Sequence, residues 1–149
     1  MHRVMIGVVA TVLLIAVTVT ADDISVENVK CLISGAPAQA DKSIDYKDGK
    51  LFFCCNNCPS AFDAEDESMV IKANHQLVAT KQYEQKGCPM SGGPVTQGTE
   101  VTIAGATVGF CCTNCKAKVE SAEDAAAKMK LVFSNEAFKK AFQKKSAAE

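Results

Sequence analysis

The chain carries only two histidines, one of them His2, and no tryptophan; aromatic residues make up 6% of it. Charge is close to balanced, with 16 basic and 17 acidic side chains. No basic patch with interleaved aromatics appears, so nucleic acid is a poor partner. No Ser-His-Asp set, paired-carboxylate site or phosphate-binding loop is visible, and no enzymatic activity is expected. What the chain does have is cysteine, eight in all.

The eight fall into two sets of identical spacing. Cys31 is followed 23 residues later by Cys54-Cys55-Asn56-Asn57-Cys58. Cys88 is followed 23 residues later by Cys111-Cys112-Thr113-Asn114-Cys115. At the same offset of 57, Ser34, Gly35, Pro37, Phe53 and Asn57 match Ser91, Gly92, Pro94, Phe110 and Asn114. Spacing and flanking residues together indicate an internal duplication. Units of this size bury little core and usually need a staple, which the sulfurs can supply.

Residues 1–21 read as an export signal. Arg3 provides the positive start, Val4 to Val19 the apolar run, and Val19-Thr20-Ala21 a small-residue cleavage site. Cleavage after Ala21 would leave 128 residues with a net charge of −2. An uncleaved run would anchor the chain in a membrane instead. The absence of a cysteine after the cleavage point argues against a lipoprotein. The expected location is secreted or periplasmic, and there cysteines often form disulfides.

Within each copy the sequence predicts a knuckle, a β-hairpin and a helix. Ile24 to Lys30 reads as a short strand, and Cys31-Leu32-Ile33-Ser34-Gly35 as a ligand followed by a tight glycine turn. Ala36 to Lys42 reads as a small polar loop. Ser43 to Tyr46 and Lys50 to Phe53 flank Lys47-Asp48-Gly49, a strong hairpin signal. Glu100 to Ile103 and Thr107 to Phe110 repeat it around Ala104-Gly105-Ala106. A helix should open near Asn56-Asn57-Cys58-Pro59 in the first copy and near Thr113-Asn114 in the second. Glu67 to Lys81 has helical periodicity and joins the copies. Asn135 to Lys145 reads as a C-terminal helix with Phe138 and Phe142 on one face. Its lysines, Lys139, Lys140, Lys144 and Lys145, are expected to be solvated.

A knuckle and a helix start brought together by a hairpin can gather thiolates around a metal ion. Cys54 and Cys58, or Cys55 and Cys58, have chelating spacing, and Cys31 supplies another sulfur. A tetrahedral zinc site takes four ligands, and Ser34 stands where the usual fourth cysteine would be. The site is therefore three-coordinate with an open position, or Cys55 completes it. Soft thiolates suit Cu(I) as well. His75, without a counterpart in the second copy, is expected to be solvent-exposed, and Met90 to be a packing residue.

The run from Cys31 to Gly35, with Tyr46 to Phe62, resembles the TRASH and YHS family of small metal-binding domains. So does the second copy, through Cys88-Pro89-Met90-Ser91-Gly92 and Phe110 to Cys115. The likeness covers about residues 28–66 and 85–122. It implies treble-clef-like units with Cys31, Cys54 and Cys58 as one ligand set and Cys88, Cys111 and Cys115 as the other. Ser34 and Ser91 depart from a four-cysteine pattern, and Cys55 and Cys112 are additional. The expected fold is α+β: a signal at 1–21, one unit at 22–66, a helical linker at 67–84, a second unit at 85–122 and a helical segment at 123–149.

The function this implies is an exported protein holding about one zinc or other soft metal ion per unit, in a structural or metal-handling role. Two alternatives stand beside it. One is a disulfide-stapled extracytoplasmic module. The other is a thiol-disulfide oxidoreductase using Cys55 and Cys58, although no βαβ pattern surrounds them.

Overall fold

A computed structural model of the protein describes residues 24–146. The apolar run read as an export signal therefore lies outside the described residues. The fold is α+β, as expected, with small antiparallel sheets and four α-helices among the described residues. None of those helices is long and apolar enough to cross a membrane.

The first hairpin pairs β1 (Gln39–Tyr46) with β2 (Gly49–Phe53). Its turn lies at Lys47 and Asp48, both at positive φ, one residue earlier than the Asp-Gly signal suggests. Gly49 instead pairs with Tyr46. A Cβ there would stand 2.8 Å from the Leu77 side chain, so close packing rather than turn geometry requires this glycine. The second hairpin pairs β4 (Val101–Ile103) with β5 (Ala106–Val108), and Ala104 and Gly105 repeat the positive-φ turn.

Phe53, the last residue of β2, and Phe110, two residues beyond β5, stand at equivalent repeat positions, and both are 0% exposed. Burying a side chain of that size stabilises by about 1.5–3 kcal/mol. They belong to one hydrophobic cluster that takes residues from both repeats and from the C-terminal segment.

Between the repeats runs α1 (Glu67–Ala79), capped by Asp66, whose carboxylate accepts from the Met69 amide. It packs on β2, α3 (Ala125–Phe133) and α4 (Asn135–Ala141). Flanked on both sides, it buries polar as well as apolar residues: Asn74 and Gln76 are enclosed with Ala73 and Leu77.

Side-chain amides, two buried and one half-buried, satisfy strand edges here. Gln76 accepts from Phe52 N–H at 2.7 Å and donates to Phe52 C=O at 2.9 Å. Gln82 does the same at Lys50, and Gln85 at Gly109. Each side chain acts as a short additional strand, which keeps backbone groups paired in the interior.

Four expectations change. Residues 39–42, expected in a polar loop, extend β1. Ile24 to Lys30 is not a strand; Lys30 alone forms a bridge, to Pro37, because Asn28 turns the chain at φ 63°. After Cys58 the first copy has only a 3₁₀ turn, Pro59–Ala61, whereas the second has a full helix, α2 (Thr113–Glu120). The C-terminal helix stops at Ala141, and Phe142–Lys144 forms β6, paired with β3 (Tyr83–Gln85). Phe142 still stacks on Phe138, with ring centroids 5.4 Å apart.

Candidate metal centre

Each knuckle closes by the same local bonds. Gly35 N–H donates to Cys31 C=O at 2.8 Å, and Cys31 N–H to Ala36 C=O at 2.8 Å. The second copy repeats them, from Gly92 to Cys88 at 2.7 Å and from Cys88 to Gly93 at 2.8 Å. Gly35 and Gly92 sit at φ 74° and 76°, which a side-chain-bearing residue adopts only with strain. This turn aims backbone amides at the first sulfur of each set.

The hairpin then delivers the other sulfurs. The Gln39 amide donates to Cys54 C=O at 2.9 Å, and the Thr96 hydroxyl to Cys111 C=O at 2.8 Å. Gln39 and Thr96 are themselves 57 residues apart. These bonds hold the end of each hairpin against the chain that follows the knuckle.

The result is two thiol triads. Cys31, Cys54 and Cys58 have sulfurs all within 4.8 Å of one another, as do Cys88, Cys111 and Cys115. Cys54 and Cys58 are 3.6 Å apart, and so are Cys111 and Cys115. With metal–sulfur bonds of about 2.3 Å, a tetrahedral site spaces its sulfurs by about 3.8 Å. A disulfide would need about 2.05 Å. All eight cysteines are free thiols. The separations and the soft donor set thus fit a metal ion shared by three sulfurs.

Cys55 and Cys112 stand beside the triads rather than within them. Cys55 Sγ is 3.5 Å from Cys58 Sγ, and Cys112 Sγ is 3.8 Å from Cys111 Sγ. Both are partly exposed, whereas Cys31 and Cys88 are buried.

The electrostatics of each triad are divided. Burial pushes the Cys31 thiol up, but the amides of Ser34, Cys54 and Ile33 with the Ser34 hydroxyl outweigh it and bring it down to about 6. At Cys88 burial is likewise outweighed, by the amides of Ser91, Cys111 and Met90 and the Ser91 hydroxyl, giving about 7. Cys58 moves the other way. Its contact with Cys55, then burial and the neighbouring sulfurs, push it up to about 12. Burial first, then Cys111 and Cys112, push Cys115 to about 12 as well. Anionic sulfurs this close oppose one another, and a cation at their centre removes that opposition.

His75 is not the exposed residue the sequence suggests. Its ring packs edge-on against Phe133 at 5.0 Å, and Nε2 is enclosed without a hydrogen-bond partner. Burial holds its pKa below the ordinary histidine range. It lines, with the first knuckle, Lys72 and Met129, a cavity of about 530 Å³. It is not among the grouped thiol ligands. Met90 packs against the core, as expected.

Comparison with protein-family models, with curated proteins and with solved structures finds no match to this chain. The likeness to the TRASH and YHS family accordingly rests on the cysteine motif. Sequence reasoning missed Gln39 and Thr96, which differ in type and so escape an identity comparison of the repeats.

Proposed function

We propose that the protein binds one thiophilic metal ion in each repeat, on Cys31, Cys54 and Cys58 and on Cys88, Cys111 and Cys115. The observation that carries this reading is the duplicated triad, with equivalent knuckle amides turned toward Cys31 and Cys88 in the two copies. Amides directed at a sulfur stabilise thiolate, the form that binds metal. Zinc suits the donor set if a fourth ligand joins. Cu(I) suits it with three.

The protein is read as exported, with cleavage after Ala21, and as two TRASH/YHS-like units at 22–66 and 85–122. Its role is structural or metal-handling rather than catalytic. The metal ion is its proposed partner, and no nucleic acid is proposed.

The decisive experiment is to purify the mature chain from its own compartment, quantify bound metal, and titrate thiols in denaturant after chelation. Two metal ions and eight free thiols per chain are expected. Four disulfides and no metal would replace this reading with that of a disulfide-stapled module. The intact mass reports the cleavage: a chain beginning at Asp22 supports export.

A further inference from the structure

The triad leaves one corner of a tetrahedral site to be filled, and two side chains compete for it in each copy. Ser34 occupies the knuckle position from which a fourth cysteine would reach. Its Oγ accepts from Ala36 N–H at 3.3 Å and lies 3.1 Å from Cys54 Sγ. In the second copy Ser91 Oγ accepts from Gly93 N–H at 3.2 Å and donates to Cys111 Sγ at 3.2 Å. Against a thiolate, only the hydroxyl can be the donor. The serine is thus engaged on both sides, supporting a sulfur that binds metal. A neutral hydroxyl is also a hard donor, poorly matched to an ion chosen by thiolates.

Cys55 and Cys112 are differently placed. Each sulfur lies at 3.5 or 3.8 Å from one corner of its triad, about the edge length of a tetrahedral thiolate site. Each is partly exposed, as Cys54, Cys111 and Cys115 also are, so a ligand from solvent can reach this side of the triad, whereas Cys31 and Cys88 are buried. Cys55 contacts both Cys58 and Cys54, and Cys112 both Cys115 and Cys111, so each stands against the same edge of its triad. A sulfur that touches the triad yet lies outside its mutual 4.8 Å grouping is suited to joining and leaving.

Resting on the triad reading, we propose that Cys55 and Cys112 are exchangeable fourth ligands. Each closes a four-sulfur shell around the bound ion and opens it when a thiol-bearing metal donor or acceptor takes its place. Ser34 and Ser91 remain positioning residues that donate to the triad.

The test uses the reduced mature chain loaded with Co(II) alone. Wild type should bind two ions per chain with four-sulfur charge-transfer absorption. The Cys55→Ser/Cys112→Ser variant should still bind two. Its charge-transfer intensity should fall by about one quarter, one sulfur of four being lost, and it should release cobalt to a chelator several-fold faster. Ser34→Ala with Ser91→Ala should lower cobalt affinity, because each triad loses a donor to Cys54 or Cys111, without the one-quarter loss of intensity per bound ion. The alanine variant at Cys55 and Cys112 gives the same readout should the serine variant misfold. Wild type binding no cobalt overturns the triad reading itself. Two ions with an unchanged spectrum in the cysteine variant overturn only the fourth-ligand assignment. A folded variant that loses its metal altogether makes the fourth sulfur a permanent ligand and overturns exchange.

Discussion

Gln76 holds both backbone groups of Phe52, accepting from its N–H at 2.7 Å and donating to its C=O at 2.9 Å. The same side chain donates to Lys30 C=O at 3.2 Å, just ahead of the first knuckle. One glutamine on α1 therefore ties together the two chain segments that carry Cys31 and Cys54.

Gln76→Ala should destabilise the protein by about 2–4 kcal/mol, because buried backbone groups lose their partners. Denaturant unfolding measures the loss. The first site should weaken with it, while the second, whose hairpin is held by Gln85, keeps its affinity. Equal weakening of both sites would contradict this.

Each triad should bind independently. Cys31→Ser should reduce the stoichiometry from two metal ions to one, and Cys88→Ser should do the same from the other side. Metal analysis after gel filtration checks the count. Chelation of the wild type should lower its melting temperature, since an ion held only by the folded state stabilises that state.

Metal affinity should rise with pH. Cys58 and Cys115 are held at about 12, so near neutral pH each carries a proton that the metal must displace. Cys31 and Cys88, at about 6 and 7, release theirs more readily. At least one proton should therefore leave per ion bound between pH 7 and 9. Affinity should gain about tenfold per pH unit for each proton displaced. Chelator competition at a series of pH values gives the slope. A flat profile would show that these thiols are already ionised.

In the metal-free protein, an alkylating reagent at neutral pH should label Cys55 and Cys112 first. Hydrogen bonds from Asn57 and the Cys58 thiol lower the pKa of Cys55, and contacts from Cys115 and Cys111 lower that of Cys112. Both are also partly exposed. Cys31 and Cys88, 2% and 0% exposed, should lag despite their low pKa values, because the thiolate must also be reached. Peptide mass spectrometry after short exposures orders the sites. Bound metal should slow every one of them.

How much of this was legible in sequence depends on distance along the chain. The knuckle was, because a cysteine, a serine and a glycine in five residues fix a turn by local bonds alone. The hairpins were too, although the turn fell one residue from the Asp-Gly pair: Leu77, far along the chain, requires a glycine at 49. The cysteine spacing thus brought out the two triads, and the duplication showed that they are equivalent in plan.

Long-range packing decided the rest. Phe142 could have continued a helix, but the backbone of Tyr83–Gln85 offered it a strand partner. His75 could have faced water on a free linker, but α1 is enclosed by β2 and α3, and Phe133 covers the ring. Local bonds repeat wherever their residues repeat. Contacts made outside a repeat do not: α1 reaches the first hairpin through Gln76, and β3 the second through Gln85.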